Sequence, residues 1–243
     1  MKRHTIVVNW KMQLPLNECV SWLISNKNEL LSLGDSQEII ICPETIAIPS
    51  THTILKGTSI RLGAQNCSKF ITGPYTGETS VHSLMDAGAT YCLIGHYERR
   101  HYFNESDEEI AQKCLNLSTV GITPILCIGS AHAEKSLSET LEKQLAPLRS
   151  FWLPERNLCI AYEPAASIQG NLAASTTQIS AIEQSVRDYL SPCQIQFFYG
   201  GSVDASNAAS ILAIPGVDGI LVGRAGLDFQ NLKKIVSSLS KAS

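Results

Sequence analysis

Residues able to move a proton or steady an anion recur along this 243-residue chain at one kind of place, immediately after a short apolar run. Asn9 and Lys11 stand at and just past the end of the first run, His96 and Glu98 after the fourth, and Glu163 after the sixth. Gly200-Gly201-Ser202 follows the seventh and Gly223-Arg224 the eighth. These groups form a chemical set. A carboxylate can take a proton from a carbon next to a carbonyl, but the resulting anion needs its oxygen stabilised. Glu163 suits the base, and His96 and Lys11 suit the electrophilic side. Gly95 lets the chain turn sharply into a segment with the composition of a helix start, where the dipole biases His96 toward the neutral imidazole. The glycine-rich ends of runs seven and eight, each followed by a helix start, offer backbone amides to an anion, most naturally a phosphate. Singly, a lone histidine satisfies a loop, a lysine is a solvated charge and Gly-Gly-Ser is a turn. Only their convergence on one rim would make proton transfer on a small phosphorylated carbonyl compound the reading.

That convergence depends on the elements. Short apolar runs at Thr5–Asn9, Glu38–Cys42, Ile60–Ala64, Tyr91–Ile94, Thr123–Cys127, Leu158–Tyr162, Gln194–Tyr199 and Gly219–Val222 read as buried strands. Helix-like segments lie between most of them, at Leu16–Leu33 (closed by Gly34), Ser80–Ala87, Asp107–Leu117, Ser136–Leu148, Thr176–Leu190, Ser206–Ala213 and Asp228–Leu239. Strands every 30 residues or so with crossover helices demand parallel pairing. Eight units in this length predict a single α/β domain over residues 1–243, a closed (β/α)8 TIM barrel, with an open doubly wound sheet as the alternative. No G-x-G-x-x-G follows a strand, which removes the main argument for the open sheet. In such a barrel, active sites form at the carboxyl ends of the strands, where the polar residues above fall. The stretch Gln65–Glu78 has neither helical nor alternating pattern, and loops of that length are usually functional or engaged with a partner.

Composition narrows the partners. A hydrophobic content of 44% supports a sizeable core, and the formal charge of −3 leaves no basic footprint for nucleic acid or a membrane surface. The eight cysteines are scattered without a C-x-x-C pair and read as reduced core thiols of a cytoplasmic protein. No signal peptide opens the chain and no apolar run is long enough to span a bilayer. The histidines lack paired ligand spacing, so no metal site is expected.

Beyond these readings, the chain resembles the triosephosphate isomerase family over essentially its full length. The motifs that carry the resemblance are Val8-Asn-Trp-Lys-Met12, Ala64-Gln-Asn66, Tyr75-Thr-Gly-Glu78, Ile94-Gly-His96 with Glu98-Arg-Arg100, Ile125-Leu-Cys-Ile-Gly129, Ala161-Tyr-Glu-Pro164, Tyr199-Gly-Gly-Ser-Val203 and Leu221-Val-Gly223. The resemblance implies cofactor-free interconversion of dihydroxyacetone phosphate and glyceraldehyde 3-phosphate. It implies Glu163 as the proton shuttle, His96 as the electrophile, Lys11 as the adjoining cation and Asn9 as a positioning group. It places Gln169, Ser202, Gly223 and Arg224 at the phosphate. It also implies a homodimer through the 65–78 loop, with Thr76 and Glu78 as contacts near the partner's Asn9 and Lys11 region.

The departures from the family pattern are local. Tyr97 stands where the family has a serine beside the histidine. The closing lid reads Ala165-Ala-Ser-Ile-Gln-Gly-Asn171, with Gln169 at a usual glycine and Ala166 at a usual tryptophan. Arg224 replaces the second glycine after strand eight, and Ser130 replaces an acid. These leave two other expectations open: an isomerase of a longer sugar phosphate, or a catalytically weakened relative retained as a dimeric binding protein.

Overall fold

The computed structural model describes residues 3–129, 137–149, 157–164, 167 and 173–239. Eight parallel strands close on themselves in sequence order: β1 (Thr5–Asn9), β2 (Glu38–Cys42), β3 (Arg61–Ala64), β4 (Tyr91–Ile94), β5 (Thr123–Ile128), β6 (Leu158–Tyr162), β7 (Ile195–Tyr199) and β8 (Val217–Val222). The last pairs with the first, Val8 against Val222, which rules out the open sheet. Every strand carries apolar residues on both faces, as strands covered on both sides must. Val7, Ile40, Leu93, Ile125, Phe198 and Leu221 are among those that fill the barrel's interior. Their sequence neighbours, among them Ile6, Ile41 and Ile94, join a larger core between the sheet and the helices. No helix among the described residues is long and apolar enough to cross a membrane.

The helices among the described residues include α1 (Leu16–Ser36), α2 (Ile48–Leu55), α3 (Val81–Asp86), α4 (Tyr97–Phe103), α5 (Asp107–Thr119), α6 (Leu137–Arg149), α7 (Thr176–Leu190), α8 (Ala208–Leu212) and α9 (Phe229–Leu239). Two of the longer ones, α5 and α7, start at capping boxes, Ser106 with Glu109 and Ser175 with Gln178, which satisfy orphan amides reciprocally. Two expectations are corrected. The first helix passes Gly34, which is buried beneath Ser59 and Ile60, and closes at Ser36 with the Gln37 N–H on the Leu33 carbonyl. A helix also forms at Ile48–Leu55, where none was expected; Pro49 lies in its first turn, a position that needs no N–H.

Residues 65–78 form neither helix nor strand, as expected, and 70–78 are all exposed. The stretch is nonetheless preorganised. The Ser68 N–H bonds the Thr79 carbonyl at 2.8 Å across its base, and the Phe70 and Tyr75 rings stack at 3.6 Å between centroids.

Candidate active site

Closing the barrel delivers the polar strand-end residues to one rim. His96 caps α4: Gly95 before it adopts φ +67°, which frees the chain to turn from β4 into the helix, and the imidazole Nδ1 accepts the Glu98 N–H at 3.2 Å. Arg100 braces the same corner, donating from Nε to the Gly95 carbonyl at 2.8 Å and from a terminal nitrogen to the Cys127 carbonyl at 3.3 Å. It also pairs with Asp107. Glu163 directly follows β6, and its N–H continues the ladder to the Ile128 carbonyl at 2.7 Å.

The two residues meet. Glu163 Oε1 lies 3.0 Å from His96 Nε2, and Oε2 accepts the Tyr97 N–H at 3.3 Å. With Glu163 3% and His96 5% exposed, water does little to screen this pair. Burial alone would raise the Glu163 pKa, but His96, the Tyr97 amide and Lys11 outweigh it and hold the carboxylate below its ordinary range. Burial likewise pulls His96 toward the neutral form, yet the Glu163 charge prevails, with Glu98 in the same sense and Lys11 opposed, so its pKa is raised. The expected bias toward the neutral imidazole thus meets the Glu163 counter-charge, which favours the charged form in this arrangement. The tautomer follows from geometry. Nδ1 can take either the Glu98 N–H at 3.2 Å or, if protonated, the Glu98 carboxylate at 3.5 Å. The nearer amide occupies its lone pair, which leaves Nε2 as the protonated nitrogen facing Glu163.

Lys11 sits across from this pair in a left-handed backbone, φ +52°, unusual for a residue with a side chain. Its N–H bonds Asn9 Oδ1 at 3.0 Å, its carbonyl accepts Gln65 Nε2 at 2.8 Å, and its ammonium meets Glu98 Oε1 at 2.7 Å. Asn9, Lys11, His96 and Glu98 all line a cleft of about 380 Å³ that continues past Met12 and Phe103. Tyr97 does not line it. Its ring is buried and stacks on His101 one turn along α4, at 5.4 Å and 11°, so at this position the backbone amide is what touches Glu163.

The remaining predicted positions divide. Ser202 donates its hydroxyl to the Ser167 carbonyl at 2.8 Å, tying the rim after β7 to the segment after Glu163. Gly223 lies close to Lys11, near enough that a Cβ there would stand 3.7 Å from Lys11 Cε. Arg224 is exposed and opens the one-turn 3-10 segment Arg224–Gly226. Thr76 and Glu78 are exposed on the 65–78 loop, and Glu78 lines the cleft. Gln169, Ala166 and Ser130 lie outside the described residues.

Two contributors were not anticipated as site residues. Gln65 holds the Lys11 and Cys42 carbonyls, and the rule that points to Asn9, a polar side chain at a strand's carboxyl end, applies equally to it after β3. The Tyr199 hydroxyl accepts the Ala174 N–H at 2.7 Å, a bond between segments far apart in the chain that no local pattern signals.

The triosephosphate isomerase family profile matches residues 4–239. The chain is 36% identical over 252 aligned positions to the triosephosphate isomerase of Baumannia cicadellinicola subsp. Homalodisca coagulata, covering 99% of this chain and 98% of that one. It is 34% identical over 239 positions to the triosephosphate isomerase of Synechocystis sp., covering 98% and 99%. The figure is again 36% over 252 positions for the triosephosphate isomerase of Salmonella paratyphi B, covering 99% and 98%.

Proposed function

This chain belongs to the triosephosphate isomerase family, and from that membership and the rim geometry we propose that it interconverts dihydroxyacetone phosphate and D-glyceraldehyde 3-phosphate through an enediol(ate), without a cofactor. The observation that carries the mechanism is the buried contact of 3.0 Å between Glu163 and the Nε2 side of His96. It sets an ionised base beside a hydrogen-bond donor in a site poor in water. Glu163 removes a proton from one carbon of the bound triose and returns it to the neighbouring carbon. The Nε2–H of His96 stabilises the oxygen on which charge develops. The charge of Glu163 is what raises the histidine's pKa. When the carboxylate turns to the substrate carbon, burial and the Glu98 amide return the imidazole toward neutrality. That pairing of a glutamate base with a neutral histidine is a known trait of the family and not a result peculiar to this chain. Lys11 supplies positive charge at the mouth and Asn9 fixes its backbone. The phosphate rests on the amides of Gly223 and Arg224, with Ser202 beside it; Gln169, which the resemblance adds to this set, lies outside the described residues. A backbone contact of this kind is compatible with the exposed Arg224 side chain.

The purified protein is expected to reach the same equilibrium mixture from either triose phosphate, followed by proton NMR. Inertness on both, with turnover of a four-carbon ketose phosphate, would assign the site to a longer substrate.

A homodimer accompanies this reading. The preorganised 65–78 loop projects Ile71 and Tyr75 into solvent, while Met12 (85% exposed), Ile46 (67%) and Phe103 (63%) leave apolar surface near the cleft. Such surface is what a partner loop carrying Thr76 and Glu78 would cover. Sedimentation equilibrium is expected to give a particle of two chains; a single-chain mass at micromolar concentration would contradict the dimer. Cysteines scattered through the chain, seven of the eight of them buried in the core, favour a reducing cytoplasmic location.

A further inference from the structure

The turn proposed to bind phosphate is gripped from behind by two indoles. Segment Arg224–Gly226 leaves β8 with the Gly226 N–H on the Gly223 carbonyl at 2.8 Å and the Leu227 N–H on the Arg224 carbonyl at 3.2 Å. Two carbonyls further along the turn, those of Gly226 and Leu227, are taken by indoles. Trp10 Nε1 donates to the Gly226 carbonyl at 3.3 Å, and Trp22 Nε1 donates to the Leu227 carbonyl at 2.7 Å. The rings pack edge to face in series, Trp10 on Trp22 at 4.9 Å and Trp22 on Phe229 at 5.5 Å. Gly226 lets the turn pack closely on β1, because a Cβ there would stand 2.5 Å from Val8 Cγ1. The leading end of the turn is meanwhile fixed by the pairing of Val222 with Val8. Trp10 itself lies between Asn9 and Lys11, so one clamp connects the anion turn, the catalytic lysine's loop and α1.

We propose that Trp22 is a positioning residue for the substrate's phosphate: by holding the Leu227 carbonyl, its indole N–H keeps the amides of Gly223 and Arg224 aimed at the anion. Without the Trp22 bond the trailing end of the turn keeps the longer Trp10 bond at Gly226 as its indole tie, its peptide planes gain freedom to rotate, and each misaimed amide weakens a charge-assisted bond. Trp22 is half-buried on a helix far in sequence from the turn, and touches neither Glu163 nor His96 in any of the contacts above. Its removal should therefore act on phosphate affinity and leave the proton transfer intact. The inference rests on the isomerase reading for the location of the phosphate.

The test is Trp22→Phe, which keeps an aromatic edge for Trp10 and Phe229 and deletes the donor. Losing one hydrogen bond of ordinary net strength predicts a rise of about fivefold in KM for glyceraldehyde 3-phosphate and in the Kd of inorganic phosphate, with kcat changed less than about twofold. Turnover of unphosphorylated D-glyceraldehyde should keep its wild-type kcat/KM, a result that general loosening of the fold would not produce. Trp10→Phe is the second variant and should shift phosphate affinity in the same direction. Equal losses on the phosphorylated and unphosphorylated substrates, or unchanged phosphate affinity in a folded Trp22→Phe protein, would overturn the proposal. Phosphate affinity is read by calorimetry without turnover, so a wild-type protein inert on trioses would count against the isomerase reading alone.

Discussion

Glu163→Gln is expected to lower kcat by about a thousandfold in both directions, the middle of the range for a positioned general base. Glutamine keeps the size of the side chain and can still accept the Nε2–H of His96 through its carbonyl oxygen. Its amide nitrogen would then face the Tyr97 N–H, a donor against a donor where the carboxylate now accepts at 3.3 Å. That mismatch is a modest structural penalty, so the variant should fold, and its melting temperature is the control for the kinetic loss. The substrate's KM should change little, since the carboxylate acts mainly on the transition state. A folded variant that retains more than about a tenth of wild-type turnover would remove Glu163 from the role of base.

The second large effect belongs to His96. His96→Ala should cost about 10²- to 10³-fold in kcat, the usual consequence of deleting one donor to a developing oxyanion. It should also move the acid limb of kcat/KM to higher pH. Activity falls with falling pH as Glu163 takes up a proton, and in the wild type that limb lies below the ordinary carboxylate range because Glu163 is held there. Burial is the largest single influence on Glu163 and raises its pKa; His96 is the foremost group opposing it. With the imidazole gone, only the Tyr97 amide and Lys11 oppose burial, so protonation sets in sooner as the solution is acidified. The substrate phosphate titrates identically in both assays, and the difference between profiles reports the enzyme. An unmoved limb would show that Lys11 and the amide suffice to keep the carboxylate ionised.

The strands were legible because each is buried on two faces, which leaves an uninterrupted apolar run in the sequence. Where a run was interrupted, the reading stopped short. Strand β8 begins at Val217 and not at Gly219, because Asp218 is accommodated by the Phe197 N–H at 3.0 Å and Arg187 at 3.1 Å, partners that only the fold supplies. Helix α2 escaped notice for a related reason: Pro49, Ser50, Thr51 and Thr53 are poor local evidence for a helix, and packing of Ile48, Thr51 and Leu55 decides the matter. At the site, residue type and strand-end position pointed to Glu163, His96 and Lys11. Neither could disclose that Glu98 serves both of the others, its amide to the histidine and its carboxylate to the lysine, since that depends on how α4 lies over the rim. Tyr97 was the reverse case. A tyrosine stands where the family has a serine beside the histidine, and the helix carries its ring away to His101 while the backbone keeps the contact with Glu163.

Lys11 carries a different lesson. A lysine held at φ +52° sits in backbone geometry that a glycine would occupy without steric cost, so the most stable residue for that torsion is one with no side chain at all. Backbone geometry and the proposed role of the charge beside the substrate favour different amino acids there: stability alone would empty the position of its side chain, and the function proposed for Lys11 is what would keep it.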